Sequence, residues 1–247
     1  MSFAGKTIFI ADSHLTEREE ECALFFRMLD SFRKDPPAAL VFLGDIFELW
    51  IALGGYETPL QRKFRAFCRE AGASFPVYFI EGNHEFFPSS TCRKDFSFVD
   101  AGSLPFGKNA LLIHGDTVNR ADWKYASLRI LTRNPVSRLL LRLFALCGGG
   151  KLVHKIRLLL KPTNKTYKTR FPREEFAAFL ESLSGKKKVK TLFTGHFHSC
   201  HFLESSGIKV YTIPAWDTEK ALIGVWDEEK ESLEILSFHK LNKMEKS

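Results

Sequence analysis

The sequence predicts an α/β fold carrying a helical insertion. Three observations lead there: short β-rich runs alternate with segments of helical apolar spacing, five of those runs end directly in a polar cluster, and a long basic excursion separates the fourth from the fifth. The five runs cover residues 7–11, 39–43, 77–80, 110–113 and 190–194. Between them, residues 17–33 and 59–71 have helix-length apolar spacing, with Pro59 suited to a first helical turn and Thr58 to its cap. Strand, helix, strand order implies α/β layering. After residue 205, runs at 209–213, 221–226 and 232–238 are separated by short polar turns, so a terminal meander is expected. The excursion, residues 117–173, repeats Leu, Phe, Ile and Arg at helical spacing and is broken by Pro135, Gly148 to Gly150 and Pro162. It reads as a helical cap inserted into one domain spanning residues 1–247.

A chain of 247 residues, 45% hydrophobic, is long enough for one packed domain. Its +7 formal charge is uneven: residues 120–173 hold fourteen Lys or Arg against one acid, Asp122, so that segment carries +13 and the remainder −6. A basic segment on an acidic body calls for an anionic partner: nucleic acid, a phosphorylated substrate or an anionic membrane surface. Nucleic acid is disfavoured, because the segment's few aromatics, Trp123, Tyr125, Phe144, Tyr167 and Phe171, are not interleaved as a stacking platform requires. No stretch approaches the roughly 18 uncharged apolar residues of a spanning helix. Five widely spaced cysteines without a CxxC pair argue against a disulfide framework and fit a reducing cytosolic compartment. Residues 1–5 lead straight into the first run without a signal-peptide pattern, so export is not expected.

The polar clusters are Asp12-Ser13-His14, Gly44-Asp45, Gly82-Asn83-His84-Glu85, His114-Gly115-Asp116 and Gly195-His196-Phe197-His198, and five of the eight histidines fall in them. In layered α/β folds the carboxyl ends of neighbouring strands converge on one crevice, so donors distant in sequence meet there. Any one cluster arises readily by chance. Together, each after an apolar strand, they meet the requirements of a catalytic metal site. Imidazole, carboxylate and one amide oxygen, without thiolate, suit Mn, Fe, Zn, Co or Mg and not a structural zinc site. A pair of such ions activates water for in-line displacement at phosphorus, which makes a phosphate ester or anhydride the natural substrate.

These blocks resemble the calcineurin-like metallophosphoesterase superfamily, whose pattern runs D-x-H, G-D, G-N-H-[DE], H-G-D and G-H-x-H. The resemblance implies a four-layer α/β/β/α sandwich with two divalent cations. It places one ion on Asp12, His14, Asp45 and His198 and the other on Asp45, Asn83, His114 and His196, with Asp45 bridging. His84 matches the position that contacts the phosphoryl group and leaving oxygen, and Glu85 supports that loop.

A narrower similarity lies in residues 44–51, Pro59-Leu60-Gln61-Arg62-Lys63 and His114-Gly115-Asp116-Thr117, followed at once by the basic insertion. These resemble the UDP-2,3-diacylglucosamine pyrophosphatase family of lipid A biosynthesis. That family uses a manganese pair to split a diacylated UDP-sugar into UMP and a lipid monosaccharide phosphate, with a helical lid over the acyl chains. The resemblance implies substrate contacts from Asn83, His84, Asp122, Tyr125, Asn164, Lys165, Lys168 and His196. It also implies a cytoplasmic protein in peripheral contact with the inner membrane, drawing an anionic amphiphilic nucleotide-sugar lipid from it. The best-known members have Arg and Asp after Gly-Asn, where this chain has His84 and Glu85. A soluble phosphodiesterase or nucleotide pyrophosphohydrolase of the same superfamily stays open. So does simple packing of the insertion's leucines onto the body.

Overall fold

The computed structural model of the chain describes residues 2–119, 122–159, 171–184 and 189–244. In chain order it contains β1 (Lys6–Ile10), α1 (Glu19–Lys34), β2 (Ala39–Phe42), β3 (Trp50–Ile51), α2 (Pro59–Ala71), β4 (Val77–Ile80), β5 (Glu85–Phe86) and the short α3 (Pro88–Thr91). Next come β6 (Phe98–Asp100), β7 (Ser103–Phe106), β8 (Ala110–Ile113), α4 (Trp123–Arg133), α5 (Pro135–Leu146), α6 (Gly149–Leu159) and α7 (Arg173–Ser184). The chain closes with β9 (Thr191–Thr194), β10 (Phe202–Ser205), β11 (Ile208–Thr212), β12 (Leu222–Asp227), β13 (Ser232–Ser237) and α8 (Phe238–Met244).

The strands make a six-stranded sheet ordered β13-β12-β1-β2-β4-β6, a five-stranded sheet ordered β10-β11-β9-β8-β7, and the two-stranded ribbon β3-β5. Strands β1, β2, β4 and β6 run parallel, as do β8, β9 and β11. Side chains alternate across each strand, so every central strand supplies two cores. Ile8, Ile10, Leu40 and Phe42 pack with the helix residues Phe25, Phe32, Phe64 and Phe67, whereas Phe9, Val41, Leu112 and Phe193 meet between the sheets. On the outer face of the second sheet, Leu111, Ile113 and Leu192 cover Phe176 and Leu180 of α7. The layering is therefore α/β/β/α.

Helix α2 shows how local sequence fixes one of these layers. Thr58 Oγ1 accepts from Gln61 N at 3.3 Å while Gln61 Oε1 accepts from Thr58 N at 3.0 Å, a reciprocal cap with Pro59 just inside it. The helix so started drives Phe64 into a cluster of rings, with centroids 4.9 Å from Phe42, 5.4 Å from Phe47 and 6.0 Å from Trp50. Trp50 and Trp216 are both buried in this layer.

The expected terminal meander is not what forms. β11 joins the second sheet beside β9, while β12 and β13 make a hairpin on the first. Ile208 and Val210 are claimed by the α7 core and Ile223 and Val225 by the α1–α2 core, so residues 213–221 must cross between the sheets.

Helices α4, α5 and α6 fall within the segment read as a cap. No residue of α4 or α5 is buried, and α5 and α6 pack on the body through Leu141, Ala145 and Val153 against Ile51, Tyr56 and Phe87. Asn164, Lys165 and Lys168 lie outside the described residues. Among the described residues no helix is long and apolar enough to cross a membrane. All five cysteines are unpaired thiols.

Replacing Phe64 by Ala removes the ring on which the α1–α2 layer centres and is expected to cost about 3–5 kcal/mol. The urea midpoint should fall with little change in slope; a loss under about 1 kcal/mol would show that the layer does not depend on this ring.

Candidate metal centre

The donors follow strands of both sheets: Asp12 and His14 after β1, Asp45 after β2, Asn83 and His84 after β4, His114 after β8, and His196 and His198 after β9. These are carboxyl ends of parallel strands on one edge of the sandwich. The turns that aim them are strained. Of nine non-glycine residues with positive φ among the described residues, five are Asp12 (49°), His14 (42°), Asp45 (53°), His196 (70°) and His198 (55°). Left-handed backbone at non-glycine positions costs on the order of 1–3 kcal/mol each and persists only where the surroundings enforce it. Here backbone bonds across the crevice enforce it, from Asp12 N to Gly44 O at 3.0 Å and from His14 N to Asp45 O at 2.9 Å.

Two glycines make the crevice narrow enough. Gly44 has φ +86°, and a methyl there would lie 2.5 Å from Gly82 N and 2.8 Å from His114 Nδ1. A methyl on Gly82 would lie 2.6 Å from Asp45 N. Beneath them Glu85, fully buried, accepts from the backbone N–H groups of Asp45 (2.8 Å), Ile46 (2.7 Å) and Gly82 (2.8 Å). One carboxylate thereby joins the second donor loop to the third. Burial, reinforced by the charge on Asp45, pushes the Glu85 carboxyl up to about 7.

Carbonyls fix two of the imidazoles. His114 Nδ1 faces Leu43 O at 2.7 Å and His84 Nδ1 faces Glu48 O at 2.6 Å, so each Nδ1–H donates and each Nε2 turns inward. Around Asp45 Oδ2 stand His114 Nε2 at 3.4 Å, His14 Nε2 at 3.9 Å and His84 Nε2 at 3.9 Å. His196 Nδ1 is 3.1 Å from His114 Nε2, and Asn83 Oδ1 is 3.3 Å from the same nitrogen. On the other flank His198 Nε2 lies 3.6 Å from Asp12 Oδ1 and 3.4 Å from His14 Nε2. Donor atoms of Asp12, His14 and His198, of His14, Asp45 and His84, and of Asp45, His114 and His196 each lie within 4.8 Å of one another.

Whether this set suits cations is tested by two oxygens. Asp12 Oδ1 and Asp45 Oδ2 are buried and accept no hydrogen bond. A carboxylate oxygen so placed is costly unless a positive charge faces it, and here imidazole nitrogens ring it beyond bonding distance. Burial opposes ionisation of Asp45, yet the neighbouring imidazoles, His114 foremost, hold its carboxyl well below the usual range. Against its own burial, His114 is pushed up to about 10 by Asp45, whereas burial pushes His14 down to about 4. The donor set fits divalent cations, whose binding would displace the His114 proton.

A cavity of about 380 Å³ opens onto His14, Asn83, His84 and His196 and is bounded by Asp122 and Tyr125. Asp122 Oδ1 caps α4 by accepting from Tyr125 N at 2.9 Å. The Tyr125 hydroxyl donates to Asp116, to which Arg129 also donates; Arg129 reaches Ala101 O as well. Arg133 Nη2 donates to Gly82 O at 2.6 Å. Sequence reasoning had Asp116 only as the end of a motif and did not find Arg129 or Arg133. The signal was present: Tyr125, Arg129 and Arg133 recur every fourth residue on one face of α4.

A family model described as calcineurin-like phosphoesterase matches residues 5–200, and the chain belongs to that family, whose members are metal-dependent hydrolases. The chain is 31% identical over 225 residues to the UDP-2,3-diacylglucosamine hydrolase of Psychromonas ingrahamii, covering 85% of this chain and 89% of that protein. It is 30% identical over 239 residues to the protein of the same name from Ectopseudomonas mendocina, covering 92% and 93% respectively.

Gly44→Ala is expected to lower divalent-metal affinity about 10–100-fold, because the added methyl forces the Asp45 and Gly82 loops apart. Metal content after dialysis against a graded chelator reads this directly, and wild-type retention would contradict the close approach.

Proposed function

We propose that the chain hydrolyses the diphosphate bond of UDP-2,3-diacylglucosamine, giving UMP and 2,3-diacylglucosamine 1-phosphate (lipid X) in lipid A biosynthesis. One observation carries this reading. A cavity of about 560 Å³, lined almost wholly by apolar side chains including Leu49, Ile51, Phe86, Leu131, Leu140 and Phe144, has a wall within two residues of the polar cavity at the donors. His84 lines one and Phe86 the other, two residues apart on the same loop. A ligand with a phosphate head and hydrocarbon tails has matching surroundings for both parts, whereas a small diester or free nucleotide leaves the apolar half unused. The names of the two relatives agree with it.

In this reading Asp12, His14, Asp45 and His198 hold one cation and Asp45, Asn83, His114 and His196 the other, with manganese the preferred metal. The pair supplies an activated water and neutralises charge on the phosphoryl oxygens. His84, its Nδ1–H fixed by Glu48 O, directs Nε2 toward the phosphoryl group, where, once protonated, it neutralises charge or donates the proton. Asn83 and His196 contact the same group, and Asp122 and Tyr125 wall the sugar.

The same helices support a reading of peripheral contact with the cytoplasmic face of the inner membrane. Among the described residues, eleven of the thirteen exposed large apolar side chains lie between Trp123 and Leu152. Exposed Lys124, Arg142, Lys151 and Lys155 stand among them, matching an anionic lipid surface.

Manganese-loaded protein should prefer UDP-2,3-diacylglucosamine over UDP-glucosamine by at least about a hundredfold in kcat/KM, since each buried methylene contributes about 0.8 kcal/mol. Equal turnover of these and bis-p-nitrophenyl phosphate would instead mark a general phosphodiesterase. In flotation with phosphatidylglycerol vesicles the chain should rise with the lipid at low salt and detach as salt increases. Leu143→Asp combined with Leu146→Asp should abolish flotation; binding indifferent to salt and to both substitutions would remove the membrane contact.

A further inference from the structure

The donor cluster is open on two sides, and His14 is the one residue lining both. One side is the polar cavity, whose His84 is two residues from Phe86 of the apolar one. The other is a cleft of about 130 Å³, with Asp12, His14 and His198 on one wall and Asp217, Lys220 and Leu222 on the opposite wall. The second wall belongs to the segment that crosses between the sheets, and it is rigidly built. Trp216 N donates to Ala11 O at 2.9 Å, which ties the segment to the strand end that carries Asp12. Asp217 Oδ1 accepts from Lys220 N at 2.7 Å and Asp217 O from Ala221 N at 2.8 Å. Ser237 Oγ donates to Lys220 O at 2.7 Å, and His239 Nε2 donates to Thr218 O at 2.8 Å. The backbone of Lys220 is therefore fixed while its ammonium is exposed, and among the described residues no acid pairs with it.

In-line displacement sets the attacking water opposite the leaving oxygen, and the two halves of a diphosphate extend in different directions from the bridging oxygen. Water's oxygen ends on one phosphate and the bridging oxygen on the other, so both halves depart as phosphate monoesters and each needs its own contacts. The apolar cavity lies on the Asn83 and His84 side and claims the lipid half. The half without a tail is left with the opposite side, where a cation, a carboxylate acceptor and a small apolar floor stand beside the donors. We infer that this cleft is the subsite for the nucleoside monophosphate half of the substrate. Lys220 Nζ pairs with its phosphate, Asp217 accepts from its ribose hydroxyls, and a cleft of this size leaves the base at the mouth. The inference rests on the diphosphate reading above and extends it to residues outside the five sequence motifs.

The test is isothermal titration calorimetry of UMP, and separately of inorganic phosphate, into manganese-loaded wild type, Lys220→Gln and Asp217→Asn, with metal content checked first. UMP should bind wild type more tightly than inorganic phosphate does. Lys220→Gln should weaken UMP about tenfold, the loss of one charge-assisted contact. Asp217→Asn, which keeps the turn-capping oxygen, should weaken UMP several-fold and leave inorganic phosphate unchanged. UMP binding no tighter than phosphate in wild type, or equally tight in all three proteins, overturns the assignment. Turnover does not enter the titration. A chain that passes it yet spares UDP-2,3-diacylglucosamine keeps the nucleotide cleft and loses the lipid; one that cleaves that lipid and fails the titration keeps the reaction and loses the cleft.

Discussion

A fully buried carboxylate with one oxygen left without a hydrogen bond is the constraint around which this fold is organised. Asp45 Oδ2 has three imidazole nitrogens near it and none within bonding distance. Leaving a charge in that condition is expensive, and the expense is tolerable only where a cation completes the arrangement. Much else follows from keeping that oxygen where it is. Glu85 fixes the backbone on either side of it, Gly82 admits it, and the carbonyls of Leu43 and Glu48 orient the rings that face it.

The strained turns need a stiff support, and the four layers provide it. Residues at left-handed φ follow directly on strands whose side chains fill two cores at once, so relaxing a turn would displace strand ends packed on both faces. Close packing transmits such displacements instead of absorbing them. The site is thus held by the sandwich, while α4 and α5 bury no residue of their own and α4 meets the body through Tyr125, Arg129 and Arg133.

The strands and the donor loops were legible because each depends on short-range pattern: a run of apolar residues, then glycine or a ligand at its end. The five runs before residue 195 lie within one residue of β1, β2, β4, β8 and β9. What escaped depends on which distant core claims a residue. Nothing local tells that 208–212 and 222–227 belong to different sheets: the first alternates buried and half-buried residues and the second is buried throughout after Leu222, and neither pattern names a sheet. Asp217 and Lys220 look like ordinary turn residues, and become interesting only because the crossing places them opposite Asp12 and His198. Arg129 and Arg133 were hidden in a basic segment whose overall charge drew attention away from the spacing of individual members.

Arg133 reaches from α4 to the peptide oxygen of Gly82, the same residue whose missing side chain makes room for Asp45. The insertion is consequently not a flap swinging free of the chemistry. Its root is clamped to the innermost donor loop, so a tilt of α4 as it accommodates a bulky guest would tug on the residues next to Asn83 and His84. Variation among the outward-facing leucines leaves that linkage alone, whereas shortening the arginine severs it, separating guests that fit the helices from the adjustment of the loop beneath them.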